Sequence, residues 1–439
     1  MTCSIAPVRD ARRRIALAVS LILLFAGCAY SLVNGNTLNQ PKVDKVEQGV
    51  QKIRQLNFVK PVPVVIKSRD QAEQQMEADM MRDYTDNQLR ADGIAGALVG
   101  LYPSGIDLKA ESLKLLRNQV AGFYDPHSKE MIMVSGATDL GFFMSATEFV
   151  APRDVGGEMV LAHEFTHALQ DQHFDLDKKL DQVKNNDDRA IALKCVAEGD
   201  ATLAGYAYVA GRMDQSVANA LLSHLSDIAS SFASEAPDTP EALGEPLIFQ
   251  YSDGVRFVAE AYRRGGWTAV DALYGNPPLS SHQIIHFADY FDRRVRPLEV
   301  SVRGYEQALP GWKKVDDDTY GELLLRIILT RNLGKTAPEV ALAQHWAGDQ
   351  MIIVQSHEEI SAIWMIAFTD AATAAKFASV YANALARIPA NRNEIQTRDR
   401  VVLVVVGAAA QTTGSLVPSI WSASRIDGRS AASMGGISR

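Results

Sequence analysis

Residues 160–176 read VLAHEFTHALQDQHFDL, and this stretch constrains the chain more than any other. His163 and His167 stand four apart, with Glu164 directly after the first. In a helix, positions i and i+4 lie one turn apart on the same face. Two imidazoles so placed can reach one zinc ion at about 2.0–2.1 Å. Glu164, displaced by one residue, brings its carboxylate beside that ion, where a general base takes a proton from zinc-bound water. The triplet alone also occurs in non-enzymes. Its surroundings add weight: Val160, Leu161, Ala162, Phe165 and Ala168 are uncharged, as expected of a helix buried beneath a cleft. The rest of the fold has to be built round this helix.

A zinc site needs a third protein ligand. Glu198, in AEGDATLAG, lies 31 residues beyond His167 and is the candidate. The first helix runs on for about seven residues after His167, roughly 10 Å, and Glu198 lies about eleven residues, roughly 16 Å, into the next. An antiparallel return therefore brings it opposite the histidines. Ala197, Gly199, Ala201, Ala204 and Gly205 keep that second helix slim enough for close approach. Asp187 and Asp188 are the alternatives, but they stand where helix N-caps belong. Asp200 and Thr202 are candidates for hydrogen bonds that orient a ligand. His173 would count only in the longer H-E-x-x-H-x-x-G-x-x-H pattern, and Gln170 occupies its glycine position, so the helix should run on. His286, Tyr251 and Tyr124 are candidates by residue type for stabilising an oxyanion, with His286 the first choice. His282 and His286 also stand four apart, but they are not read as a second metal site.

The chain begins with Arg9, Arg12, Arg13 and Arg14, an apolar run from Ile15 to Phe25, and Ala26-Gly27-Cys28. A run of this length suits a secretory signal and is short for a membrane span. The small-small-Cys ending resembles a bacterial lipobox, with Cys28 as the lipid-carrying residue and the membrane as partner. Ala29 is not the Asp that retains such proteins on the inner membrane, so the expected location is the outer membrane, on its periplasmic side. Loss of residues 1–27 takes the net charge from -8 to -11. No basic field recommends nucleic acid. Cys195 is then left without a partner and reads as a small buried residue.

The pattern along the chain predicts a helix-rich α+β protein. Residues 1–27 form the signal, 28–42 a tether, 43–300 a catalytic domain with a small sheet, 301–412 a smaller α+β domain, and 413–439 a disordered tail. GFYDPHSKEMIMVSG reads as two strands around a turn at Asp125–Ser128, with MIMVSG as the cleft-edge strand that pairs with substrate. VVLVVV, without alternation, reads as a central strand covered on both faces.

HEFTHALQDQHFDL together with AEGDA resembles the gluzincins. More closely, it resembles a largely uncharacterised family of bacterial and archaeal zinc metallopeptidases. GFYDP at Gly122–Pro126 and the block from Gly265 to His286 extend the resemblance, which covers roughly residues 45–410. His282 and Phe287 depart from the family pattern, which has Glu and Pro at those places. The resemblance implies a zincin-like catalytic domain, His163, His167 and Glu198 as zinc ligands, and Glu164 as base and acid. The implied function is a lipid-anchored envelope metallopeptidase acting on a peptide or protein substrate. Two alternatives share most of these features: a non-catalytic zincin-fold lipoprotein with a binding or assembly role, and a zinc hydrolase of another amide such as a cell-wall crosslink.

Overall fold

The computed structural model describes residues 32–34, 37–117, 122–135, 153–184, 186–226, 230, 238–388, 392–427 and 429–431. The proposed signal peptide, Cys28 and tether residues 29–31, 35 and 36 lie outside the described residues, and the helix that follows takes in the tether's last three residues, Gln40 to Lys42.

Helix α1 (Gln40–Arg54) opens with Pro41 in its first turn, where a missing N–H costs nothing. Its buried face is Val43, Val46, Val50 and Arg54, one stripe at helical spacing that ends in a guanidinium. The charged stretch that follows is two helices rather than one. Ser68 with Gln71 caps Arg69–Asp83, and Thr85 with Gln88 caps Asp86–Leu98. Each pair forms a reciprocal capping box that restarts the helix.

Strands β1 (Val64–Lys67), β2 (Gly122–Asp125) and β3 (Glu130–Val134) form a small sheet in the order β1-β3-β2. Strand β3 pairs in parallel with β1 and antiparallel with β2, so both its edges are occupied. This corrects the expectation that MIMVSG is a free cleft-edge strand: a segment far upstream in the chain takes the place reserved for substrate.

Helix α2 (Arg153–Phe174) carries the HEFTH stretch, and α3 (Asp187–Ala210) carries Glu198. Both are buried nearly all round, from Met159 to Leu169 in α2 and from Asp187 to Ala207 in α3. The N-cap of α3 is Asn186, whose side chain accepts from Arg189 N. Asp187 and Asp188, expected as caps, sit in the first turn instead. Helix α4 (Glu241–Gly275) is two helical segments joined at a kink, where Gly265 and Gly266 leave helical geometry, the latter at φ +63. Small residues set the spacing of these helices. A Cβ on Gly199 would stand 2.4 Å from Gly254 O of α4, and one on Gly205 would stand 2.9 Å from Met159 O of α2.

Beyond α5 (Ser281–Ile285), strands β4 (Lys313–Asp318), β5 (Trp346–Ser356), β6 (Glu359–Phe368), β7 (Asn393–Arg398) and β8 (Val401–Gly407) make an antiparallel sheet ordered β7-β8-β6-β5-β4. Helix α6 (Gly321–Leu333) follows β4, and α7 (Ala371–Leu385), capped by Asp370, follows β6. Every residue of β8 is buried, and the two faces serve different cores. Val402, Val404 and Val406 join the large core that also holds α2, α3, α4 and α6. Val401, Leu403 and Val405 pack with Leu416, Ile420 and Trp421 in a smaller one.

Those last residues belong to α8 (Thr413–Ala423). The disordered tail expected from residue 413 is therefore helical at its start. Its Ser- and Gly-containing composition hid an apolar stripe at 416, 417, 420 and 421. The result is a helix-rich α+β protein with small sheets and a C-terminal α+β region. Among the described residues no helix is long and apolar enough to cross a membrane.

Candidate metal centre

Helices α2 and α3 run antiparallel: Gly205 faces Met159 and His163, while Gln170 reaches Ala197 and Asp200. This pairing sets Glu198 opposite the two histidines. His163 Nε2 and His167 Nε2 lie 2.9 Å apart. Glu198 Oε2 is 3.2 Å from the first and 3.5 Å from the second. Ligand atoms held at about 2.0–2.1 Å and tetrahedral angles stand about 3.3 Å apart, so the three donors have the spacing of a single small cation's ligands. All three are at most 2% exposed.

The protonation states favour the same use. Burial lowers His163 to about 4 and His167 to about 3, leaving both imidazoles neutral with lone pairs to give. Burial raises Glu198, against hydrogen bonds from His163 and Tyr251 that lower it. His167 has its tautomer chosen for it. Gln170 Nε2 donates to Ala197 O at 2.9 Å and to Asp200 Oδ2 at 3.1 Å, which turns Gln170 Oε1 toward His167 Nδ1 at 2.9 Å. Nδ1 therefore carries the proton, and Nε2 presents its lone pair to the centre.

Asp200 is the anchor of this arrangement. It accepts from Arg54 Nε at 2.7 Å and Nη2 at 3.1 Å, and from the Tyr274 hydroxyl at 2.7 Å. Arg54 also reaches Asp271 at 2.6 Å and lies 4.5 Å from the centroid of the Trp267 ring. A chain of buried hydrogen bonds thus runs from α1 through α3 to the histidine helix. Thr202, the other residue considered for such a role, is buried, and its hydroxyl has no hydrogen bond among the described residues.

Glu164 is 1% exposed and accepts from Tyr124 N of β2 at 3.0 Å. Burial raises it to about 8. Beside a cation it ionises more readily. Tyr251, on α4, hydrogen-bonds Glu198 and stands with its ring 6.2 Å from that of His163. Tyr124 contributes its backbone here, while its hydroxyl donates to Asp171 at 2.9 Å. His173 bonds Asn57 O at 2.7 Å on another face of the unbroken helix. His286, the first choice for stabilising an oxyanion, is not among the groups gathered at this centre. Its Nε2 lies 3.1 Å from each oxygen of Glu322, in a separate cluster with His282.

Arg54, Tyr274 and Glu322 were not singled out from sequence. Arg54 had one available signal, as the charged member of an otherwise apolar stripe. Glu322 had none, since its partners lie 36 and 40 residues upstream.

A family model described as a domain of unknown function (DUF8575) matches residues 307–416. No curated protein matches the chain. A crystal structure from Chloroflexus aurantiacus, described as that of "a putative hydrolase with a novel fold", is similar at 14% identity and a TM-score of 0.37. The similarity covers 65% of this chain and 97% of that one. The functional reading rests on the site's own geometry.

Proposed function

We propose that the protein is a zinc-dependent metallopeptidase, with a zincin-like catalytic domain and His163, His167 and Glu198 as metal ligands. The convergence of those three donors with Glu164 beside them carries the reading. A zinc ion held there supplies Lewis acidity, polarising a substrate carbonyl and acidifying water. Glu164 accepts the proton of the attacking water at its carboxylate and passes it to the leaving nitrogen. The Tyr124 N–H holds one Glu164 oxygen in place. Gln170 holds His167 in the tautomer that can ligate, and Asp200 with Arg54 holds Gln170. Tyr251, rather than His286, is the donor we assign to the developing oxyanion, since its hydroxyl already lies at Glu198.

The reading includes a lipid anchor at Cys28 and a place in the cell envelope, at the outer membrane on its periplasmic side. The N-terminal arginines, the apolar run and Ala26-Gly27-Cys28 support this. Mass spectrometry of the mature N-terminus should find diacylglycerol on Cys28, and an unmodified N-terminus would remove the anchor from the account.

Chelation tests the peptidase. Stripping metal from active protein should abolish cleavage of a peptide library, and added zinc should restore it. Cleavage that persists in metal-free protein would refute the assignment.

A further inference from the structure

We propose that His282, His286 and Glu322 form a second metal site, separate from the His163 centre, that takes zinc or another first-row divalent ion. His282 is the second residue of α5 and His286 its C-cap, one turn on, and Glu322 is the second residue of α6. One ligand atom from each lies within 4.8 Å of the others. His282 Nδ1 is 2.5 Å from Glu322 Oε2, and His286 Nε2 is 3.1 Å from both carboxylate oxygens. Two imidazoles and a carboxylate suit zinc and its neighbours better than magnesium or calcium, which prefer all-oxygen sites.

The scaffold holds these groups in place before any ion arrives. Ser281 N donates to Asp188 Oδ1 at 2.8 Å, and Leu323 N donates to Ser281 Oγ at 3.1 Å, which ties the start of α5 to the start of α6. Tyr320 N and Gly321 N both donate to Asp349 at 3.0 Å. Gly321 has φ +73, and a Cβ there would fall 1.8 Å from Asp188 Oδ1, so only glycine starts the helix at this point. Glu322 is 3% exposed.

Asp289 fixes the tautomer of His282. Its Oδ2 lies 3.2 Å from His282 Nε2, and its other oxygen accepts from Arg293. With Nε2–H given to Asp289, His282 Nδ1 is left to ligate, the orientation expected of a metal-bound histidine with a carboxylate behind it. The His286 side chain is 32% exposed and that of His282 15%, so one side of the cluster is open to an entering ion and to water that completes its coordination. A bound ion would clip the segment that follows α4 to α6, which lies inside the region matched by the family model.

The competing arrangement is a cluster held by protons only, and metal counting separates the two. Full-length purified protein, dialysed against zinc and washed, should hold about two ions per chain. The His163→Ala/His167→Ala variant should keep about one, and that one should disappear on adding His282→Ala. His286→Ala, a change at a part-exposed position, should remove the same ion if His282→Ala misfolds by circular dichroism. Cobalt should report the site in the His163→Ala/His167→Ala background by visible absorption that is lost with His286→Ala. A folded His163→Ala/His167→Ala protein with no bound metal would overturn the proposal. Wild-type protein with a single ion that is lost only on changing His282 or His286 would support it and count against the His163 centre.

Discussion

Replacing Gln170 by methionine isolates the hydrogen-bond chain behind the histidines, because the side chains are similar in length and only the polar bonds are lost. Gln170 makes three such bonds, to His167 Nδ1, Ala197 O and Asp200. Asp200 keeps Arg54 and Tyr274, so its charge stays satisfied. His167 Nδ1 loses its partner in a site closed to water, at about 1–3 kcal/mol, while Ala197 O stays in the α3 ladder and loses only a second bond, about 0.5–1.5 kcal/mol. The buried methionine returns about 1–2 kcal/mol by area. Net destabilisation of the metal-free protein should be about 1–2 kcal/mol. Metal affinity should fall by about 10–100-fold, the usual cost of losing a partner that orients a ligand. Competition with a chromophoric chelator gives the affinity, and urea unfolding of the metal-free protein gives the stability. A variant destabilised by this amount whose zinc affinity stays within about twofold of wild type would show that Gln170 does not govern His167.

Other perturbations test different parts of the structure. Gly199→Ala puts a Cβ against Gly254 O and Val258, at 2.4 and 2.8 Å, and should cost at least about 2 kcal/mol in urea unfolding; a neutral result would mean that α3 and α4 are not in close contact. Arg54→Met leaves Asp200 as an uncompensated buried charge and should cost about 3–5 kcal/mol, with weakened metal binding. Asp188 is raised by burial from 3.8 to about 7, so the unfolded chain loses its proton first and stability falls as pH rises from about 4 to about 7. Asp188→Asn should flatten that dependence, by on the order of 2–4 kcal/mol, when unfolding is compared at pH 5 and pH 8. An unchanged slope would assign the dependence to other groups.

What could be read from sequence follows from how local each signal is. The spacing of His163 and His167 is a property of one helix, and the slimness of the Glu198 helix shows in its alanines and glycines. Both survive without knowledge of the fold. Gln170 was legible only as a missing glycine, because its work depends on which carbonyl and carboxylate α3 presents to it. The pairing of β1 with β3 joins segments far apart in the chain, so MIMVSG looked like an edge. His286 was chosen by residue type alone, and type does not say which cluster a side chain joins. Helix α8 was obscured by composition, although its apolar positions already had helical spacing.

Glu164→Gln tests the central claim most directly. The amide keeps an oxygen for the Tyr124 N–H and leaves the three metal donors untouched, but it cannot accept the proton. Zinc content should equal that of wild type, while kcat/KM on a cleaved peptide should fall by at least about 100-fold. A zinc-loaded Glu164→Gln protein that cleaves at the wild-type rate would contradict the account.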